Sequence, residues 1–336
     1  MKLSRLLLIR IALIIPVSLG VVTLTFFVSR VLAADPVELF LPPQADEALR
    51  REVRQRLGLD KPLVEQYRIF LSGIGHGDLG ISINTGHPVT KDLLFRLPAT
   101  LEMAGCALLI AVGIGVPFGV IAGVNRDGWP DFLIRGITLG GMALPAFWLG
   151  LILIFVFFVR LHWLPGPVGR FPIGAAPPRV VTGLFLVDSL LGGNLPAFWV
   201  SLEHLLLPSF TLGFVTMAPI ARVARNAMIE VLQSDYVRTS RAMGISKAGI
   251  NFRLALKNAL LPVVTMIGSA IAFLFSGSVL VENIFSWPGM GQYALEAIRQ
   301  SDFSALQGFV LWAALAYVCV FLVIDILYLV VDPRTR

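Results

Sequence analysis

The chain has 336 residues, of which 56% are hydrophobic and only 14% charged, with a mean hydropathy of +0.81. Water-soluble domains carry about 25% charged residues, so this composition excludes an ordinary soluble globule. The formal net charge of +6 does not mark a nucleic-acid binder, because the cations gather at particular loops, and Cys106 and Cys319 fall inside apolar runs with no metal-ligand spacing around them.

Six apolar runs, at about 9–30, 100–124, 133–159, 202–221, 263–285 and 307–331, each reach the roughly 20 residues that cross a hydrocarbon core as helix. Lipid offers no hydrogen bonds, so these runs are expected to be helices. The fold class predicted is an all-α membrane protein with six transmembrane helices.

The first run follows Lys2, Arg5 and Arg10 and ends near Leu32-Ala33-Ala34, loosely like a signal-peptide cleavage site. It is longer than the roughly 7–15 residues of a signal core, so residues 1–32 are expected to remain as the first transmembrane helix. Residues 33–98 form a polar outer region. Leu49, Val53 and Leu57 at i, i+4, i+8 predict an amphipathic helix over 44–57, and a second covers Leu63 to Leu71. Glycines at 73, 75, 77 and 80 then break regular structure, and 82–89 is extended or looped. We expect an extracytoplasmic cap packed on the membrane domain.

Residues 99–336 hold the other five spans. The outer loop at about 160–201 contains Leu164-Pro-Gly-Pro167 and Ala176-Pro-Pro-Arg179. Its apolar stretch from Val181 to Leu191 is too short to span and reads as a surface or re-entrant helix. Cations concentrate in alternate segments: Arg126 and Arg135, then Arg222 through Lys257, then Arg334 and Arg336. The positive-inside rule therefore places both termini in the cytoplasm.

Enzyme signatures are absent. No GxxxxGK[ST] phosphate loop, GxSxG elbow or HExxH pair occurs. Proton- or sodium-driven carriers usually hold acidic residues mid-membrane. Here Glu102, Glu203 and Glu282 fall at outer span ends, where water is expected to reach them. Asp325, near the cytoplasmic end of the last span, reads either as an interfacial carboxylate or as part of a gate. In the fifth span Gly268, Ala272 and Ser276 make one face uniformly small, which suits close helix packing and equally a passage for a bulky solute. With Glu282 they form the candidate pathway or gate set.

The polar, basic insert at about 222–262 is the most distinctive feature. Tyr236, Ser240 and Met243 share one helical face, and Arg238 and Arg241 another. Gly244 suits the left-handed end of that helix, and Ser246 the cap of the next. An ordinary positive-inside loop and a docking surface for a soluble partner both fit these residues.

These segments resemble the cytoplasmic EAA-type loop of permease subunits of binding-protein-dependent ABC importers, specifically the dipeptide/oligopeptide/nickel group. Arg222-Val-Ala-Arg225 and Arg253 to Pro262 resemble its flanks. Leu57 to Leu63, Gly77-Asp-Leu-Gly-Ile-Ser82, Arg96-Leu-Pro-Ala-Thr-Leu-Glu102, Glu282 to Gly291 and Asp332-Pro-Arg334 resemble further signatures in the right order. Ser240 and Met243 depart from the family's usual Ala and Lys.

The resemblance implies a type I ABC importer-like transmembrane domain pairing with a second permease subunit, with two ATPase subunits beneath and an extracytoplasmic solute-binding protein above, in the inner membrane. It implies that Tyr236, Arg238, Thr239, Arg241, Ala242 and Gly244 couple to the ATPase, and that ATP and Mg bind on those partners, with no cofactor on this chain. Di- or oligopeptides are the expected cargo; nickel complexes, glutathione or another small solute are the alternatives, and a secondary carrier or channel the reading from a different class.

Overall fold

The computed structural model describes residues 3–27, 46–56 and 59–331. Twelve helices are found among them: α1 (Leu3–Phe27), α2 (Glu47–Arg56), α3 (Leu63–Gly75), α4 (Val89–Val124), α5 (Trp129–Ala143), α6 (Ala146–Leu153), α7 (Phe185–Leu191), α8 (Leu195–Leu232), α9 (Asp235–Ala242), α10 (Leu256–Ile284), α11 (Met290–Arg299) and α12 (Phe303–Val331). Wider, π-helical turns extend α6 over Ile154–Arg160 and lead into α10 over Gly249–Ala255. The only β pairing among the described residues is an isolated bridge between Ile81 and Pro88.

Among the described residues, four helical segments are long and apolar enough to cross a membrane: Val89–Val124, Leu195–Leu232, Gly249–Phe275 and Phe303–Ile324. The predicted third span is not one straight helix. Its two halves, α5 and α6, meet at a 106° bend. Leu144 is held extended at ψ 126, the geometry a residue before proline prefers, and Pro145 follows it. The α1 helix contributes a shorter apolar stretch, Ile15–Phe27. The Leu32–Ala34 motif lies outside the described residues.

The core is built on α4 and α8. A β-carbon on Gly213 would lie 2.9 Å from the Ala107 carbonyl, and one on Gly123 2.6 Å from the Met228 β-carbon. Position numbers rise together along both helices, so α4 and α8 run parallel. Their closest approach is at Gly119, where a β-carbon would sit 2.4 Å from that of Ala224; small residues permit such approach in lipid. Because the two are parallel, the chain must return between them, and α5 with α6 makes that return. Helices α10 and α12 run antiparallel, with Gly268 against Ile324 and Phe275 against Trp312.

Several boundaries differ from the sequence expectation. Helix α8 begins at Leu195, so the outer loop ends at Asn194, whose side chain accepts the Ala197 N–H at 3.1 Å and caps the helix. Its other end runs on to Leu232, taking up the first residues of the predicted cytoplasmic loop. Pro262 lies inside α10 and does not open it; a membrane helix tolerates the lost donor when neighbours re-satisfy the backbone. In the outer region α3 extends to Gly75 and packs on α1 through Phe26 with Tyr67 and Phe70, ring centroids 5.2 and 5.4 Å apart.

Candidate functional site

Helix α9 follows α8 after a two-residue turn, Gln233-Ser234. Val237 and Ser240 are its buried side chains. Of the grouping of Tyr236, Ser240 and Met243, Tyr236 and Met243 are exposed, whereas Ser240 is buried together with Val237. The reason is the following segment, whose Ile250 is buried and closes over α9. Tyr236 is nonetheless anchored, its hydroxyl accepting from the Asn258 amide at 2.9 Å. Arg238, Thr239, Arg241 and Ala242 are on the same short helix. Arg238 and Asp235 are largely open to solvent and only 3.4 Å apart, a pair worth little at such exposure.

The turn after α9 matches expectation in detail. Gly244 has φ +81, the left-handed conformation that glycine adopts without penalty. Ser246 accepts the Gly249 N–H at 3.2 Å and caps the next turn. Met243, Ile245 and Phe252 are exposed beside Tyr236. The end of the molecule therefore presents an apolar patch among Arg238, Arg241, Lys247, Arg253 and Lys257.

Above it, Arg225 of α8 forks onto Asp131 of α5, with Nε and Nη2 donating at 2.6 and 2.7 Å. Asp131 is fully buried and also accepts the Asp127 N–H at 3.0 Å. This bidentate pair fixes the start of α5 to α8 at the entry to the basic insert.

At the opposite end, three separate sequence signatures meet. Glu282 was expected within reach of water, but its relative exposure is 0%. Its carboxylate accepts from the Thr100 hydroxyl at 2.9 Å and the Gln292 N–H at 2.9 Å, while Thr100 accepts the Met290 N–H at 2.8 Å. Helix α11 opens at Gly289, which has no side chain to cap it. Glu282 and Thr100 supply the missing acceptors from neighbouring helices. Trp287 is buried beside them and donates to the Ala99 carbonyl at 2.8 Å. Nearby, Asp302 accepts from Ser82 at 2.6 Å and from the Asn84 N–H at 3.2 Å.

Glu102, likewise buried, pairs with Arg170 at 2.6 Å and accepts the Leu186 N–H at 2.8 Å. Arg170 also donates to the Gly183 carbonyl at 2.7 Å and stacks on Phe185, 3.6 Å from the ring centroid. Glu203 is exposed, as expected. Asp188 accepts from the N–H groups of Val181, Thr182 and Gly183 and from the Thr182 hydroxyl. Burial by itself would raise its pKa, but these four donors outweigh burial and hold it below the usual carboxylate value.

Gly268 packs on Ile324, where a β-carbon would meet the Ile324 side chain at 2.3 Å. Ala272 is buried too. The small face of α10 therefore packs against α12 at Gly268 and is buried at Ala272. The side chains of Ser276 and Asp325 lie outside the described residues. Cys106 is half-buried, while Cys319 is exposed on α12.

Comparison with known proteins fits this arrangement. The family described as binding-protein-dependent transport system inner membrane component matches residues 115–336, and its companion N-terminal family matches 3–104. The chain belongs to this family. It is a multi-pass permease of the inner membrane with the type I ABC importer fold. The permease is 45% identical over 315 residues to a probable D,D-dipeptide transport system permease protein of Escherichia coli, covering 94% of this chain and 92% of that one. It is 41% identical to a di/tripeptide transport system permease protein of Pseudomonas aeruginosa, covering 97% of each. A glutathione transport system permease protein of Pectobacterium atrosepticum is 36% identical, covering 96% of each.

Sequence reasoning missed Asp131, Arg225 as its partner, and Arg170. Each ion pair joins residues far apart in sequence. The available signal was weak: an aspartate two residues into a helix, and one of three arginines in a Gly/Pro-rich loop.

Proposed function

We propose that this permease forms half of the translocation pathway of an ATP-driven importer for di- or oligopeptides delivered by an extracytoplasmic solute-binding protein. It would cross the membrane six times with both termini in the cytoplasm. The parallel run of α4 and α8 supports one crossing by the bent α5–α6 pair. A second, similar permease completes the pathway, and two ATPase subunits bind beneath, carrying the ATP and Mg. This chain binds no cofactor itself.

The observation that carries the reading is the exposed apolar and cationic patch on α9 and its flanks, held rigidly by Val237, Ser240 and Ile250. Tyr236, Arg238, Thr239, Arg241, Ala242 and Gly244 seat α9 in the ATPase groove. ATP-driven closure of the motors then moves α9, and the Asp131–Arg225 clamp carries that displacement into α5 and α8. For the pathway set, packing against α12 supports a structural role for Gly268, and the capping of α11 supports one for Glu282.

Peptide cargo rests on the named dipeptide relatives at 37–45% identity. Glutathione is the second reading, because relatives named for it also match almost end to end. The test is uptake of labelled dipeptides, tripeptides, glutathione and nickel complexes in cells with and without this chain. Loss of dipeptide uptake alone supports the first reading. Loss of glutathione or nickel uptake alone replaces the cargo, and energy-independent flux through the purified chain defeats the importer reading.

A further inference from the structure

The bend between α5 and α6 leaves backbone groups without partners. An unbroken helix would pair the N–H groups of Ala146, Phe147 and Trp148 with the carbonyls of Met142, Ala143 and Leu144. The 106° bend separates them, and among the described residues no backbone bond and no side-chain cap replaces the lost pairs. Hydroxyls on the adjoining turns are spent on their own helices. Thr138 donates to the Arg135 carbonyl at 3.0 Å, Thr211 to that of Leu207 at 2.8 Å and Thr216 to that of Leu212 at 2.7 Å.

The break also lies at membrane depth. On one side of it, a β-carbon on Gly141 would sit 3.1 Å from that of Ala218; on the other, one on Gly150 would sit 3.4 Å from the Thr211 methyl. Leu144 and Pro145 are therefore level with α8 between residues 211 and 218, within the apolar run 202–221. At 1.5 Å per residue this is no more than about 10 Å from the middle of that run, whereas the hydrocarbon core extends about 15 Å either side of its centre. The rest of the chain leaves the break open: Ala143 and Pro145 are exposed, and Phe147 and Trp148 keep 41% and 46% of their surface.

Lipid offers these groups no partner, so it is not the cover. A helix of a second subunit is a poor cover as well. Its own backbone groups are bonded internally, and it would have to bring several polar side chains to mid-membrane, where they are rare. An apolar helix face would leave the groups as unsatisfied as lipid does. Water satisfies all of them, and irregular backbone at this depth is tolerated where it lines a water-filled space.

We propose that the Leu144–Pro145 break lines the aqueous translocation passage. The wall this subunit gives to the pathway is then the bent third crossing, and not the small face of α10, where Ile324 already fills the space at Gly268. The proposal rests on the importer reading above.

The test uses the complete transporter. Cys106→Ala and Cys319→Ala remove the native thiols, and Ala143→Cys or Ala146→Cys then places one at the break. Leu109→Cys is the comparison: Leu109 is 74% exposed on the unbroken α4, at the level where Ala107 and Ile110 meet Gly213. A cationic methanethiosulfonate is the probe, with labelling rates read in nanodiscs, which are open on both sides. Uptake of dipeptide, or of glutathione if the cargo test selects it, is read in proteoliposomes rebuilt from the same protein with and without label. A charge is excluded from the centre of the bilayer, so both break positions are expected to label about a hundredfold faster than Leu109→Cys. Each labelled variant is expected to lose most of its own ATP-driven uptake. Labelling no faster than at Leu109→Cys overturns the passage and assigns the break to a protein cover, with the importer reading intact. Fast labelling that leaves uptake as it was also overturns it, because the water then fills a recess off the path. Fast labelling in a transporter whose flux needs no ATP overturns the importer reading and leaves the water-lined break standing.

Discussion

Gly289 faces Glu282 so closely that a β-carbon on the glycine would fall 2.5 Å from the carboxyl carbon. The backbone of Gly289 is extended, at φ −97 and ψ −173, so any residue could adopt it; the constraint is space. Gly289→Ala should displace Glu282 from the end of α11 and destabilise the permease by about 1–3 kcal/mol, the usual cost of overpacking. Glu282→Gln keeps the shape and should cost less. Thermal unfolding of the detergent-solubilised protein reads both, and equal or reversed losses would contradict the capping role.

The Asp131–Arg225 pair is buried on one side and bidentate. Arg225→Ala leaves the buried carboxylate of Asp131 with only the half-exposed Arg135, 3.7 Å away, and should destabilise by up to about 3–5 kcal/mol. Removing both partners together should be milder than removing Arg225 alone. A double-mutant cycle on unfolding checks this, and additive losses would show that the pair is not coupled.

Gly244 has no atom within 4 Å of where a β-carbon would sit, so replacing it strains only the backbone, at roughly 1–2 kcal/mol. Gly244→Val should leave insertion intact yet lower import several-fold and uncouple ATPase activity from it. Asparagine tolerates the left-handed region better, so Gly244→Asn should retain more import. Transport and hydrolysis measured on the same membranes decide between coupling and indifference.

The depressed pKa of Asp188 makes the 181–183 segment acid-sensitive. Its folded value lies below the unfolded one of about 3.9, so its contribution is complete above that pH and is lost as pH falls through the folded value. Hydrogen-exchange protection at Thr182 and Gly183 should therefore hold at pH 7 and fall below about pH 4. Asp188→Asn should show reduced protection at neutral pH and no further acid step attributable to this site.

If Gly268 packs on Ile324 and nothing more, Gly268→Ala should destabilise the α10–α12 contact, and Ile324→Val should partly rescue it, with a coupling of about 0.5–3 kcal/mol. A change in uptake rate without any change in stability, and without rescue, would instead assign Gly268 to the pathway.

Local features were readable from the chain. The end of α9 at Gly244, the cap at Ser246 and the short α7 are each set by neighbours within a few residues. The break at Leu144-Pro145 carried a signal too, but hydropathy runs continuously across it and hid a turn that backbone sterics impose. Burial of Glu282 and Glu102 was not readable. Span-end carboxylates look wet in a linear view, and only the meeting of residues 100, 170, 282 and 289 removes the water. Ion pairs such as Glu102–Arg170 have no periodicity to betray them.

Helix α8 is continuous over 38 residues, about 57 Å at 1.5 Å per residue. One end carries the loop in which Arg170 is held by Glu102, and the other carries α9. It is a single lever joining the two. A tilt of about 10° around its middle would move each tip by about 5 Å, in opposite directions, given that length. A few degrees of rotation driven from the basic end would thus shift the outer loop by more than a bond length, without any signal having to pass from side chain to side chain.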